Sequence, residues 1–350
     1  MNATPQTLSP GRIDWVDYAK GICIILVVMM HSTLGVEKVM GEANWMNAFI
    51  AWAAPFRMPD FFLISGLFLA SRIDKPWRSY LDSKVVHFAY FYVLWLTIQF
   101  AMKSNGYVAD MGVDGTIKHY FMSFVEPAST LWFIHMLAIF FLVTRVTQII
   151  PQLTIWLMAA FAEVSDVQTG VFVVDEFCSR FVYFYTGYVA APHVFQFAEK
   201  VSRQSMLTLF GSLYLWAVVN GLMVSYGYST MPILSLALGF AGVGAVIAVS
   251  QVLAQEKLMH WVRYCGENSI VIYLAFFAFM AASRIVLIKT GIIADGGTIS
   301  LIVTAAGVIG PLVMYWMVRN TPARFLFERP NMFRLKPKSA AVQGQIIAAE

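Results

Sequence analysis

The feature that most limits this chain is a succession of unbroken apolar stretches close to 20 residues long. Leu207–Tyr226, Ile233–Leu253 and Ile299–Val318 contain no Asp, Glu, Lys or Arg at all. A helix of about 20 residues crosses the hydrocarbon core of a bilayer, and its backbone polar groups are satisfied within the segment. A β-barrel would instead alternate apolar and polar residues over strands of about 10. Composition closes the other routes. Of 350 residues, 59% are hydrophobic and 13% charged, and mean hydropathy is +0.67. A soluble domain cannot hide that much apolar surface, and a disordered chain does not carry it. The chain therefore reads as an all-α integral membrane protein.

Ten helical spans are predicted: Tyr18–Gly35, Ala48–Ala70, Val85–Met102, Leu131–Val146, Leu153–Val164, Phe177–Phe197, Leu207–Tyr226, Ile233–Leu253, Ser269–Ile288 and Ile299–Val318. The first is not a signal peptide. Asp14 and Asp17 precede it, His31 interrupts it, and no small-residue cleavage site follows. Basic residues set the orientation. With the N-terminus in the cytoplasm, inner segments hold Arg12, Arg72, Lys75, Arg78, Lys84, Arg145, Lys200, Arg203, Lys257 and Arg263. The tail adds Arg319, Arg324, Arg329, Arg334, Lys336 and Lys338, whereas outer segments hold only Lys38, Lys103, Lys118 and Lys289. That bias places both termini in the cytoplasm. The organisation expected is a cytoplasmic segment 1–16, a membrane domain 17–318 and a basic cytoplasmic tail 319–350. The long outer connection Lys103–Thr130 is glycine-rich and predicts a short interfacial helix over Ile117–Phe124. No internal repeat and no nucleotide-binding glycine fingerprint is present. Cys23, Cys178 and Cys265 have neither disulfide nor metal-ligand spacing, so no metal site is expected.

Charge within a bilayer costs about 2.5–3.5 kcal/mol per residue on insertion scales, so each case needs a reason. Lys20 and His31 are eleven residues apart, three turns along one helix face. Lys20 lies near the cytoplasmic edge and His31 past the midplane. An imidazole there can take a proton from a hydroxyl or carry an acyl group; a helix–helix hydrogen bond is the plainer alternative. Pro55 and Pro59 break the second span, and Arg57 and Asp60, at i and i+3, can pair across a cavity wall. His135, Arg180 and Arg284 fall with His31 in the outer half, where they can frame a polar acceptor or snorkel to headgroups. Arg72, Arg78 and Lys84 form a basic inner connection suited to a phosphorylated donor.

The residues Arg12-Ile-Asp14-Trp-Val-Asp17-Tyr-Ala-Lys20-Gly21, running on to His31, resemble the first span of the acyltransferase-3 family of bacterial membrane acyltransferases. The Asp-x-x-Lys-Gly form is similar to the fucose O-acetylase-like branch. Phe61-Phe62-Leu63-Ile64-Ser65-Gly66, Leu131-Trp132-Phe133 and Gly266-Glu-Asn268-Ser269-Ile-Val-Ile-Tyr273-Leu resemble three further signatures of that family, in order. Two departures stand out: Lys20 occupies a usual Arg position, and Ala275-Phe276 replaces a common His. The resemblance implies transfer of an acyl group, usually acetyl, from cytoplasmic acyl-CoA to a hydroxyl of an extracytoplasmic glycan or lipid-linked sugar. The donor is a co-substrate and no cofactor is tightly bound.

On that reading His31 is catalytic, with Asp14 or Asp17 orienting Lys20 at the inner mouth. Lys20, Arg72, Arg78 and Lys84 hold the CoA phosphates. Arg57, Asp60, Ser65, Trp132, His135, Arg180, Asn268, Ser269, Tyr273 and Arg284 line the substrate channel. The expected location is the bacterial inner membrane, with lipids and a glycan as partners and no nucleic acid. A secondary transporter or glycan exporter shares broken helices and intramembrane charge. A non-catalytic scaffold, a degenerate relative, is the third possibility.

Overall fold

In a computed structural model, which describes residues 13–127 and 130–335, the apolar stretches form helices and no strand occurs among the described residues. Thirteen α-helices follow in order: α1 (Asp14–Met40), α2 (Met46–Gly66), α3 (Trp77–Leu81), α4 (His87–Met122), α5 (Trp132–Val146), α6 (Gln152–Val164), α7 (Phe172–Val189), α8 (Ala191–Ser202), α9 (Met206–Ser225), α10 (Leu234–Gln255), α11 (His260–Glu267), α12 (Ser269–Thr290) and α13 (Gly296–Val318). Seven helical stretches among the described residues are long and apolar enough to cross a membrane: α1, the run Trp77–Met122, the run Trp132–Ile149, α9, α10, α12 and α13. The other three expected spans fall on α2 and α7, which carry charges inside, and on the 13-residue α6. Arg12, Lys336 and Lys338 lie outside the described residues, with the rest of 1–12 and of 336–350.

Helix α1 is the hub. It packs against α2, α10, α11, α12 and α13, which bury its Asp17, Ser32 and Thr33. Two crossings bring backbones into contact. A Cβ on Gly21 would sit 2.0 Å from the Val262 carbonyl oxygen, and one on Gly266 would sit 1.6 Å from that of Asp17. The α2–α7 crossing repeats the device: Cβ atoms on Gly66 and Gly187 would lie 2.2 Å and 2.0 Å from the carbonyl oxygens of Phe184 and Leu63. Small residues at such crossings let membrane helices pack without an intervening side-chain layer.

Several expectations need correction. Pro55 and Pro59 do not break α2, which continues through both. Each removes one N–H from the ladder, but α1, α7 and α10 clamp the helix from outside. Arg57 and Asp60 do not pair. Arg57 Nη1 leans one turn and more toward the start of α2, donating to Ile50 O at 3.3 Å, while Asp60 is buried and neither carboxylate oxygen has a hydrogen-bond partner. The third span does not end at Met102. Helix α4 continues to Gly112, whose φ of 73° and ψ of 178° only glycine adopts readily, and the chain doubles back. The returning arm packs on the outgoing one, with the Tyr107 and His119 rings 5.0 Å apart. The helix expected over 117–124 is thus part of a hairpin that ends at Met122. The sixth span divides at Ala190, because Pro192 opens a new helix, α8, at a site where its missing N–H costs nothing.

The two ends of the bundle differ. At the Asp14 end, Tyr18 OH donates to Leu258 O at 2.6 Å, Arg263 pairs with Asp14 at 3.2 Å, and Arg329 pairs with Asp82 at 2.8 Å. At the Met40 end, Asp295 caps α13, accepting from Thr298 N at 2.6 Å and from Trp45 Nε1 at 3.1 Å. The hydrogen bonds from Thr298, and then that from Trp45, hold the Asp295 carboxyl below its ordinary value of 3.8. A carboxylate depressed in the folded state stabilises above its unfolded pKa, and loses that contribution as pH falls through the folded one. Asp295→Asn is therefore expected to lower the melting temperature in detergent at pH 7, with the gap to wild type closing below pH 3.8. A pH-independent gap would show that packing, not charge, matters there.

Candidate active site

Because α1 is continuous, the eleven residues from Lys20 to His31 rise about 16 Å on nearly one face. His31 reaches a cavity of about 200 Å³ enclosed by α1, α2, α5, α7 and α12. Its walls are apolar: Val27, Met30, Met58, Phe61 and Phe133. Its polar members are His31, Arg57, Thr130, Trp132, Arg180 and Tyr273. No described group hydrogen-bonds to the His31 ring, which lies 5.4 Å from the Phe276 ring. Phe276, one of the two residues standing where the resemblance implies a His, is thus the aromatic neighbour of the imidazole.

The separate sequence signatures meet around this cavity. Phe61 stacks on Phe133 with ring centres 4.3 Å apart and planes 6° apart. Tyr273 OH donates to Thr130 O at 2.6 Å and accepts from Phe133 N at 3.2 Å. Tyr273 therefore fixes the start of α5, and with it Trp132, against the cavity. Buried main-chain groups left without such partners cost about 1–3 kcal/mol each, so the hydroxyl has a structural role beside any chemical one. Arg57 keeps one buried donor, Nε, with no partner. Arg180 is tied to Glu176 at 3.3 Å. Two guanidinium groups and an imidazole around one cavity can act on an acyl carbonyl: the ring moves a proton, and the N–H groups stabilise a developing oxyanion.

Four of the ten expected channel residues line this cavity: Arg57, Trp132, Arg180 and Tyr273. The others lie elsewhere. Asp60 is buried lower in α2. Ser65 donates to Phe61 O at 2.7 Å within its own helix. His135 faces a separate cavity between α4 and α5, against the Tyr92 ring. Arg284 lies over Gly35, one turn above His31, where a Cβ would meet its guanidinium at 2.2 Å. Asn268 donates to Tyr264 O at 2.9 Å, at the α11–α12 junction beside Ser269, at the Asp14 end. Asp14 and Asp17 sit about 20–25 Å along α1 from His31 and cannot share its site. Asp17 lies 3.6 Å from Lys20, and Asp14 engages Arg263.

At the Asp14 end the expected donor residues divide. Arg78 donates to Leu335 O at 3.1 Å, fixing the segment after α13. Lys84 lies 4.3 Å from the Phe141 ring centre, in the π-helical turn Asp82–Val86. No carboxylate among the described residues pairs with Arg72, Lys75 or Lys84. Sequence reasoning missed Thr130, Phe61 and Phe133 as cavity walls, and missed the amphipathic α11, whose eight residues resembled an inner connection.

This fold and site define a multi-pass membrane protein with a histidine–arginine cavity buried within its helices. The chain belongs to the acyltransferase-3 family, described as an acyltransferase domain and matched over residues 13–316, as the motifs led one to expect. It is similar to the inner membrane protein YcfT of Escherichia coli (strain K12), 28% identical over 181 residues, 43% of this chain and 47% of that protein. The nodulation protein NolL of Sinorhizobium fredii (strain NBRC 101917 / NGR234) is 24% identical over 314 residues, 83% of this chain and 84% of that one. NolL of Mesorhizobium japonicum (strain LMG 29417 / CECT 9101 / MAFF 303099) is 26% identical over 147 residues. The chain spans about half the length of YcfT and 39% of the second NolL. No solved structure matches it.

Proposed function

We propose that this protein is an inner-membrane O-acyltransferase that moves an acyl group, acetyl in the simplest case, from acyl-CoA to a hydroxyl presented from the other side of the bilayer. The observation that carries this is the placement of His31, Arg57 and Arg180 around one buried cavity. Membership of the acyltransferase family supports the reaction class, and the likeness to an inner membrane protein supports the location.

The chemistry balances within that cavity. The His31 imidazole removes the proton of the acceptor hydroxyl as its oxygen attacks the thioester carbonyl. Arg57 and Arg180 face the oxyanion of the tetrahedral intermediate. As that intermediate collapses, the C–S bond breaks, the ester C–O bond is complete, and His31 returns its proton to the thiolate leaving group. The donor's phosphates stay at the Asp14 end, near Arg72, Lys75 and Lys84. The roughly 16 Å from Lys20 to His31 is covered by the donor's long thiol arm.

The direct test is incubation of purified protein with acetyl-CoA labelled in the acetyl group, scoring free CoA and label moved to sugar acceptors. His31-dependent release of CoA supports the proposal; a panel of acyl-CoAs neither bound nor turned over removes it. Lys84→Ala is expected to raise the KM for acetyl-CoA about 10-fold or more, the worth of one charge-assisted hydrogen bond, with kcat little changed. An unchanged KM would place the donor phosphates elsewhere.

A further inference from the structure

Beside the His31 cavity lies a second one of about 310 Å³, toward the Met40 end of the bundle, and Arg180 lines both. Exposed loop residues, Asp166, Thr230 and Pro232, form its rim. Its inner wall is built around Glu163, in the last turn of α6. Glu163 Oε1 accepts from Ser235 Oγ at 2.9 Å and from Tyr183 OH at 3.3 Å. Glu163 Oε2 is buried and has no partner. The wall is fixed rather than adaptable. Tyr183 seats its ring on Gly239 of α10, where a Cβ would come within 2.5 Å of the phenolic oxygen. Ser235 follows a γ-turn at Ile233, with φ of 65° and a 2.7 Å bond from Leu234 N to Pro232 O. A β-branched residue in that conformation is strained and persists only where its surroundings demand it.

The charge balance narrows the occupant. Two carboxylates, Glu163 and Asp166, face one guanidinium that Glu176 already engages. Such a space disfavours phosphates and carboxylates, and no described donor reaches the free oxygen of Glu163. A neutral ligand rich in hydroxyl groups supplies those donors. The volume is near the lower end of ligand pockets, about 300–1,000 Å³, which suits a single ring better than an extended glycan.

We propose that this second cavity is the acceptor subsite: it takes a neutral polyhydroxylated ring, one hydroxyl donating to Glu163 Oε2 while another passes Arg180 toward His31. The assignment of this ring as an acceptor rests on the acyl-transfer reading, whereas its binding does not. The test is ligand-observed NMR with the full chain in lipid nanodiscs. The probes are methyl glycosides of glucose, mannose, fucose and N-acetylglucosamine. At least one is expected to bind wild type, with affinity reduced tenfold or more in Glu163→Gln. Asp166→Asn, a change at an exposed rim position, is expected to weaken it too and guards against misfolding of the first variant. Absence of binding to wild type, or binding undiminished in both variants, overturns the subsite. Acetyl-CoA turnover by the same preparation separates the two ideas. Turnover that requires His31, with every glycoside ignored, removes the subsite alone. Glycoside binding lost in both variants, with no acyl-CoA bound or consumed, keeps the ring site and removes its role as acceptor.

Discussion

Replacing His31 with alanine is expected to lower acyl transfer by about 10²–10⁴-fold, the usual worth of a positioned proton-transfer group. The argument is one of position. His31 is the imidazole that lines the cavity holding Arg57 and Arg180, and no described group takes up its ring nitrogens. A histidine kept only to join two helices would show a partner, because an unpaired polar group within a bilayer costs energy without return. The loss should fall on kcat, since the proposed donor site puts the donor's charged groups about 16 Å away along α1. Truncation removes a ring that touches Phe276 and enlarges a cavity of about 200 Å³. Imidazole added to the buffer is therefore expected to restore part of the rate. A thermal melt separates lost chemistry from lost fold. Wild-type turnover in a folded His31→Ala variant would end the proposed role.

How much of this was legible in the sequence follows from what each residue costs. His31, Arg57 and Arg180 stood out because polar groups in apolar stretches need a compensating reason. The signature glycines were legible as markers of close packing, but their partners were not. Only the structure shows Gly21 and Gly266 bringing α1 and α11 to backbone contact, and Gly66 doing the same between α2 and α7. Tyr273 shows the same limit from another side. Its hydroxyl joins two signatures 140 and more residues apart, and no local pattern encodes such a contact. Glu163 was missed because a carboxylate one residue from the end of a short apolar helix looks like an ordinary solvated rim. The signal was present in hindsight: α6 has 13 residues, too few to carry both of its ends to the two faces of a bilayer. Where a charge was read correctly and its partner wrongly, spacing misled. Arg57 and Asp60 have the separation of a helical ion pair, yet their side chains take different surroundings.

That missing pair leads to the second large effect. Arg57→Lys is expected to lower kcat by about 10²–10³-fold, as removal of one oxyanion donor does, while leaving the KM for acyl-CoA nearly unchanged. The natural resting partner of Arg57 would be Asp60, three residues away, but no ion pair forms between them. Arg57 is instead held by a single 3.3 Å bond to Ile50 O, at the edge of the cavity that His31 lines. Lysine preserves the charge but not the planar fork, so it separates field from geometry. Retained rate in Arg57→Lys, with loss in Arg57→Gln, would assign Arg57 a purely electrostatic role. A raised KM with unchanged kcat would instead make it a binding residue. Arg180→Lys gives the internal comparison. Glu176 already offsets part of the Arg180 charge, whereas Arg57 meets only a main-chain carbonyl, so substitution of Arg180 should cost kcat less than that of Arg57. An equal or larger loss at Arg180 would move the oxyanion contact to α7 and leave Arg57 as the residue that shapes the cavity.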